Sequence, residues 1–335
     1  MSTHLPTDPA PRAQRAGRTI RARALRSAVA VGAAGLAAAL AVSSAPAHAA
    51  STSSTAAAKP AAAVHQDVVY YQTQYNGGSY VSPLPMLTNH TGVTDVIVAA
   101  IHLDSGGIVH LNDNSPDDPM FTQMWSDLAT MQASGVKVEA MLGGAAPGSY
   151  ANLATDFSEY YPLLKNLIVE HHLDGIDLDV EESESLASIE QLINQLRSDF
   201  GSSFLITMAP VASALEGGGN ISGFSYDDLV HADGSAINWY NAQFYCGWGS
   251  LSSTANYDAI VAYGLVPASK LVAGAVTNPS SCSGYVAPAT LEKTVKKLVA
   301  EHPDFGGVAG WEYFNSEPGG TAAPWEWAAG MSAAM

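Results

Sequence analysis

Eight short runs rich in β-branched and aromatic residues, at 67–75, 95–103, 137–142, 175–181, 204–210, 238–245, 270–276 and 307–314, are interleaved with stretches of helical spacing. In MFTQMWSDLATMQASG, Met120, Met124, Leu128 and Met131 recur every three or four residues, and Gly135 can close the helix. Similar spacing occupies 155–172, 185–200, 226–232, 255–264, 289–302 and 324–335. Strands that alternate with helices run parallel, because each crossover returns the chain to the same end of the sheet. Eight such units in about 270 residues match a single α/β domain of the (β/α)8 TIM barrel type, expected over 64–335. A doubly wound sheet is the rival. Its dinucleotide turn would need G-x-G-x-x-G after the first strand, where this chain has QYNGGSY.

The residues ahead of this pattern belong to something else. Six arginines between Arg12 and Arg26 precede an apolar run from about Ala28 to Val42, and Ala47-His48-Ala49 follows. That layout is a secretory signal peptide over 1–49, and the run is short for the rival reading, a membrane span. Residues 50–63 are almost only Ala, Ser, Thr, Lys and Pro, a linker composition. Removal of the leader, with its six arginines and one acid, takes the formal charge from −17 to about −22. A secreted, extracellular protein so acidic is a poor partner for nucleic acid, and no later segment is apolar enough to hold it in a membrane. In an exported chain Cys246 and Cys282 can form a disulfide, with two free thiols as the alternative.

Within this scaffold one strand is unusual. LDGIDLDVEE places Asp174, Asp177, Asp179, Glu181 and Glu182 within ten residues of a chain that is only 13% charged. Side chains alternate faces along a strand, so Ile176, Leu178 and Val180 share one face and Asp177, Asp179 and Glu181 the other. The apolar face can bury against helices, which turns the acids toward the barrel axis. Like charges so close cannot all ionise, so the row costs stability and is explained by chemistry. Glu181, last in the row, has the best access from the carboxyl-terminal mouth of a barrel, where catalytic groups sit. Asp174 is out of phase and reads as scaffold, while Glu182 points the other way, toward solvent. A bound Ca²⁺ or Mg²⁺ would also gather acids, but hard-metal loops use turn-forming spacing rather than an apolar strand, so neither a metal nor a cofactor is expected.

Asp174-Gly175-Ile176-Asp177-Leu178-Asp179-Val180-Glu181 is similar to the D-x-x-D-x-D-x-E motif of glycoside hydrolase family 18. Met141-Leu142-Gly143-Gly144 resembles that family's S-x-G-G with Met in place of Ser, and Gln243-Phe244-Tyr245 resembles its Q-F-Y. Trp311 falls where the family has the Trp that floors its catalytic subsite. AAIHL, MLGGAAPGSY and the acid strand are similar to stretches of the small secreted chitinases of actinobacteria and filamentous fungi.

The resemblance implies an endo-acting, retaining chitinase in which the substrate's acetamido oxygen is the nucleophile. Glu181 would be the general acid and base, Asp179 would orient the acetamido N–H, Asp177 would share a proton with Asp179, and Tyr245 would donate to the acetamido oxygen. Gln243 and Asn241 would contact sugar, Trp311 would stack on it, and Trp248 would line an outer subsite. The implied partner is chitin or N-acetylglucosamine oligosaccharides, met by a monomer. Only residues 277–306 separate the last two strands, so the groove should be open. Two alternatives remain: an endo-β-N-acetylglucosaminidase that cleaves the chitobiose core of N-glycans, and a non-catalytic lectin, in which the terminal Glu is commonly replaced.

Overall fold

A computed structural model describes residues 65–335; the expected signal peptide and linker, 1–49 and 50–63, lie outside the described residues. In chain order the elements are β1 (Gln66–Tyr71), β2 (Tyr75–Asn76), β3 (Ser79–Tyr80), α1 (Leu84–Thr88), β4 (Asp95–Asp104), β5 (Ile108–Leu111), α2 (Thr122–Ala133), β6 (Lys137–Gly143), α3 (Ser149–Thr155), α4 (Phe157–Glu170) and β7 (Gly175–Asp179). There follow α5 (Leu186–Phe200), β8 (Leu205–Met208), α6 (Tyr226–Asp233), β9 (Trp239–Gln243), α7 (Ala255–Tyr263), β10 (Leu271–Val276), α8 (Pro288–Glu301), β11 (Gly307–Trp311) and α9 (Glu326–Ala334). Eight strands pair in parallel in the order β1-β11-β10-β9-β8-β7-β6-β4, and β4 pairs back onto β1 with Val68 opposite Asp95. The sheet is therefore a closed (β/α)8 barrel, as the alternating pattern predicts.

Period-two alternation divides the apolar residues between two cores. Val68, Tyr70, Ile97, Met141, Trp239 and Val272 fill the barrel, while Val69, Tyr71, Val96 and Val138 from the same strands pack outward under the helices. On β7 the outward set is Ile176 and Leu178, continued by Val180, all at most 2% exposed. Each such burial contributes about 1.5–3 kcal/mol, which fixes the register and turns the acids inward. Facing them, α5 supplies Ile189, Leu192, Ile193 and Leu196 at helical spacing and is capped by the Ser185 side chain.

The strands are shorter at their carboxyl ends than the sequence pattern predicts. Runs expected at 175–181, 238–245 and 307–314 stop at Asp179, Gln243 and Trp311. On β7 the ladder ends because other donors take the carbonyls: Gly144 N–H donates to Asp179 O at 2.9 Å and Ser222 Oγ donates to Val180 O at 2.6 Å. Trp311, expected in mid-strand, is the last residue of β11.

Two hairpins are additions that the pattern does not show. β5 folds back antiparallel on β4 through a turn at Gly106-Gly107, both at positive φ. The first expected run divides into β1 and the small β2–β3 hairpin, which turns at Gly77-Gly78.

Candidate active site

The strand ends at the carboxyl-terminal mouth enclose a cavity of about 350 Å³. Its lining includes Asp179, Glu181, Gln243, Tyr245, Trp311 and Met141. Asp179 closes β7 and Glu181 stands two residues beyond it, so the row of acids climbs from the barrel interior into the opening.

Asp177 lies deepest, with no exposed surface. Its Oδ2 accepts from Tyr70 Oη at 2.8 Å, and its Oδ1 from Thr207 Oγ1 at 2.6 Å and Asn241 Nδ2 at 3.1 Å. Burial raises its pKa, and these three donors work against that rise. Met141, which stands at the serine position of the S-x-G-G pattern, contributes no donor. Thr207 on β8 supplies a hydroxyl to Asp177 instead.

Asp179 is 6% exposed, and its pKa is held well above the ordinary carboxylate range by burial first, then by the charges of Glu181 and Asp177. Gln243 Nε2 spans the two outer acids, 3.2 Å from Asp179 Oδ1 and 3.1 Å from Glu181 Oε1, while also donating to Ala209 O at 2.9 Å. With two N–H bonds for three acceptors, the amide divides its donation, which leaves both carboxylates room for a further donor. Close approach of the β6 loop depends on Gly143, at φ 92°, where a Cβ would stand 2.6 Å from Asp179 O.

Tyr245 lies two residues past β9 and lines the cavity. Burial, followed by the charges of Asp179, Glu181 and Asp177, pushes its phenol well above the ordinary pKa, so it stays an O–H donor. Trp311 presents its ring to the cavity and is braced from behind by Tyr70, with centroids 5.4 Å apart. Its neighbour Glu312 accepts from the backbone N–H of Gln72 and Thr73 at 3.1 and 2.7 Å, which ties β11 to the loop after β1.

Other expected site residues lie elsewhere. Asn241 is below the cavity, 2% exposed, with its amide occupied by Asp177 and by Trp239, which donates at 3.0 Å. Trp248 is half-buried on the main core next to Gly219 and is not part of the cavity lining. Asp174 is scaffold, bonded to Lys137 at 2.9 Å and to Gln132 at 2.8 Å. Glu182 corrects its expectation: rather than facing solvent, it accepts from Gly148 N–H and Tyr150 N–H at 2.9 Å each, because the first N–H groups of α3 need acceptors. Among the described residues no group of three or more His, Cys, Asp or Glu is arranged to hold a metal ion.

Cys246 and Cys282 are joined, with Cα atoms 5.5 Å apart, and the bond ties the loop after β9 to the loop after β10. Cys246 N–H also donates to Ser283 O at 2.8 Å, so the bridge clamps the backbone next to Tyr245. The crosslink closes a 36-residue span. Replacing both cysteines by serine should lower unfolding stability by about 2–4 kcal/mol, measured by urea denaturation under oxidising conditions. A double variant as stable as the parent would show that the crosslink does not stabilise the folded protein.

Sequence reasoning passed over Tyr70, Thr207, Glu139 and the cavity-lining Gln72 and His102. For Tyr70, Glu139 and Thr207 alternation on β1, β6 and β8 held the signal, since each falls on its strand's inward phase. No motif pointed to them.

The family described as Glycosyl hydrolases family 18 matches residues 67–277. Chitinase 2 of Rhizopus oligosporus is 28% identical over 286 residues, covering 73% of this chain and 49% of the relative. Chitinase D of Niallia circulans is 26% identical over 239 residues, covering 55% and 44%. The chain thus spans about half the length of the curated relatives it matches. Among solved structures, a fungal endo-β-N-acetylglucosaminidase from glycosyl hydrolase family 18 superposes with TM-score 0.77 at 47% identity, over 80% of this chain and 97% of that one. Chitinase ChiC from Aspergillus fumigatus superposes with TM-score 0.74, also at 47% identity, over 81% and 100%.

Proposed function

The chain belongs to glycosyl hydrolase family 18, and from that premise we propose that it is a secreted, endo-acting chitinase that hydrolyses β-1,4-linked N-acetylglucosamine polymers with retention. One observation carries the mechanism. Among the described residues the only carboxylates that line the cavity are Asp179, at the end of β7, and Glu181, two residues beyond it, both within reach of one Gln243 amide. Retaining glycosidases with an enzyme nucleophile need two carboxyl groups flanking the scissile bond. Asp179 and Glu181 instead follow one another along one stretch of chain and share one Gln243 nitrogen, which favours a nucleophile that comes with the substrate. The 2-acetamido oxygen is correctly placed for that attack.

In this reading Glu181, the most accessible of the row, protonates the leaving oxygen and then activates water. Asp179 accepts the acetamido N–H and balances the positive oxazolinium, and Tyr245 donates to the acetamido oxygen. For Asp179 to act as an anion, its O–H bond breaks and the proton moves inward to Asp177, which its three donors hold as the anion until it receives that proton. Trp311 offers a flat apolar face to the pyranose. Between Val276 and Gly307 the main element is α8, so no inserted domain walls that side, which favours internal cleavage. The leader pattern at 1–49 supports export, and no helix among the described residues is long and apolar enough to cross a membrane.

A second reading is favoured by one comparison: a structure 47% identical to this chain is titled an endo-β-N-acetylglucosaminidase. Both activities cleave after N-acetylglucosamine with the same assistance, so the products decide. The enzyme should convert N-acetylglucosamine hexamers to shorter oligomers whose new ends are initially β-anomers, followed by rapid NMR or chromatography. Initial α-anomers would refute substrate assistance. Release of N-glycans from a denatured glycoprotein, without cleavage of the hexamer, would replace chitin by the glycan core.

A further inference from the structure

Beneath the acid row lies a fourth carboxylate for which the mechanism above has no use. Glu139 is on β6, one inward position below Met141, and has no exposed surface. Its Oε2 is 3.0 Å from Thr207 Oγ1, the same hydroxyl that lies 2.6 Å from Asp177 Oδ1. We propose that Glu139 is a positioning residue: it is a neutral acid that donates to Thr207, so that Thr207 donates to Asp177 and holds Asp177 as the anion. The proposal rests on the reading of Asp177 as the acceptor of the Asp179 proton.

Proton counting carries it. A threonine hydroxyl has one hydrogen and here meets two carboxyl oxygens, so one of the two acids must supply the second hydrogen. Asp177 already accepts from Tyr70 and Asn241, which suits an anion. Glu139 Oε1 is buried with no hydrogen-bond partner among the described residues, which an ionised carboxylate would tolerate poorly. The proton therefore resides on Glu139.

The surroundings agree. Glu139 faces Asp95 from β4, Asp177 from β7, Asp174 from the entry to β7 and Thr207 from β8; the cation on its own strand, Lys137, is engaged by Asp174 at 2.9 Å. Burial first, then the charges of Asp95 and Asp177, raise its pKa well above the ordinary range. Asp95 is itself pushed up to about 6, chiefly by burial. The geometry also makes room for this side chain: a Cβ on Gly175 would stand 2.9 Å from Glu139 Cγ.

Three variants test it: Glu139→Leu, which removes the donor; Glu139→Gln, whose amide N–H can replace it; and Thr207→Val, which removes the link. In Glu139→Leu, Thr207 keeps its hydrogen for Asp177 but loses the donor that polarises it, so kcat should fall about threefold with KM within about twofold, and the acidic limb of kcat/KM should move up by about half a pH unit. Glu139→Gln should restore both to within about twofold of the parent. Thr207→Val, which takes the hydroxyl from Asp177 outright, should have the larger effect, about tenfold in kcat and about one pH unit in the limb, and in that background Glu139→Leu should add nothing.

Two readouts do not need turnover. Infrared spectra at neutral pH should lose one protonated-carboxyl C=O band in Glu139→Gln. Stability gives the second: an acid whose folded pKa is raised contributes stability that is present below its unfolded pKa and lost as pH rises above it. The Tm advantage of Glu139→Gln over the parent should therefore widen from the ordinary carboxylate range toward neutral pH.

A parental kcat and pH limb in Glu139→Leu would overturn the proposal, as would a Glu139→Gln variant as impaired as Glu139→Leu. An unchanged carboxyl band would do the same. Should Glu139→Leu not fold, Glu139→Gln and Thr207→Val still decide. If the parent cleaves no N-acetylglucosamine substrate, the functional reading fails separately, while the infrared and stability results still judge Glu139.

Discussion

Glu181→Gln should keep its fold and lose turnover, with kcat on N-acetylglucosamine oligomers reduced by about 10³-fold and KM changed only a few-fold. Positioned acid/base groups contribute on the order of 10²–10⁴ in rate, and a factor of 10³ corresponds to about 4 kcal/mol of transition-state stabilisation. The substitution is nearly isosteric and its site is half-buried rather than sealed. The one Glu181 side-chain hydrogen bond among the described residues is from the Gln243 amide at 3.1 Å, which a glutamine carbonyl can also accept. Tm should therefore move little. The loss should also depend on the leaving group: an aryl glycoside whose phenolate departs without protonation should suffer less than an oligosaccharide. A uniform loss of less than about tenfold on both would move the acid away from Glu181.

This expectation depends on the row being a gradient rather than a cluster. Asp177 is enclosed by three donors, Asp179 by fewer donors and more repulsion, and Glu181 by a single shared amide. Period-two alternation builds that gradient directly, since each step of two residues moves a carboxyl outward along one face. A shift of one residue would send all three acids into the helix layer and bring Ile176, Leu178 and Val180 into the barrel. Packing energy therefore guards the chemistry: at most 2% exposure on the outward three holds the inward three in register.

Much of this was legible in the sequence because the barrel writes itself in alternation. The eight parallel strands and the inward face of β7 follow from periodicity, and so does the division of labour between Ile176 and Asp177. Strand ends were less legible. They depend on which group takes the last carbonyl, and Ser222 and Gly144, distant in sequence from β7, do so here. The hairpin β5 was hidden because IVHL carries no period of its own and pairs only after the turn at Gly106-Gly107 reverses the chain. Asn241 lies on the expected face, yet its depth was not legible: alternation gives the side of a strand and not the layer. Thr207 and Glu139 share that reason, since their importance lies in meeting Asp177 across two strand neighbours.

Asp179→Asn should separate catalysis from stability more sharply than any other change in the row. Asparagine keeps the shape and an acceptor oxygen, but it cannot become the anion that balances the oxazolinium, nor pass a proton to Asp177. Loss of one preorganised electrostatic partner of developing charge removes about 2.7–4 kcal/mol, so kcat should fall by about 10²–10³-fold with KM within a few-fold. Stability should move the other way. Burial and the charges of Glu181 and Asp177 hold the Asp179 pKa well above its ordinary value, so the folded protein binds a proton that the unfolded chain releases. The contribution of Asp179 to stability is then present below its unfolded pKa and declines as pH rises above it. Asparagine has no such decline, so Tm of Asp179→Asn should equal the parent near pH 4 and exceed it increasingly toward pH 7. Activity loss accompanied by a fall in Tm at neutral pH would mean that the substitution had damaged the barrel interior. Retention of most of the parent's kcat would remove Asp179 from the reaction, and with it the case for assistance by the substrate's acetamido group.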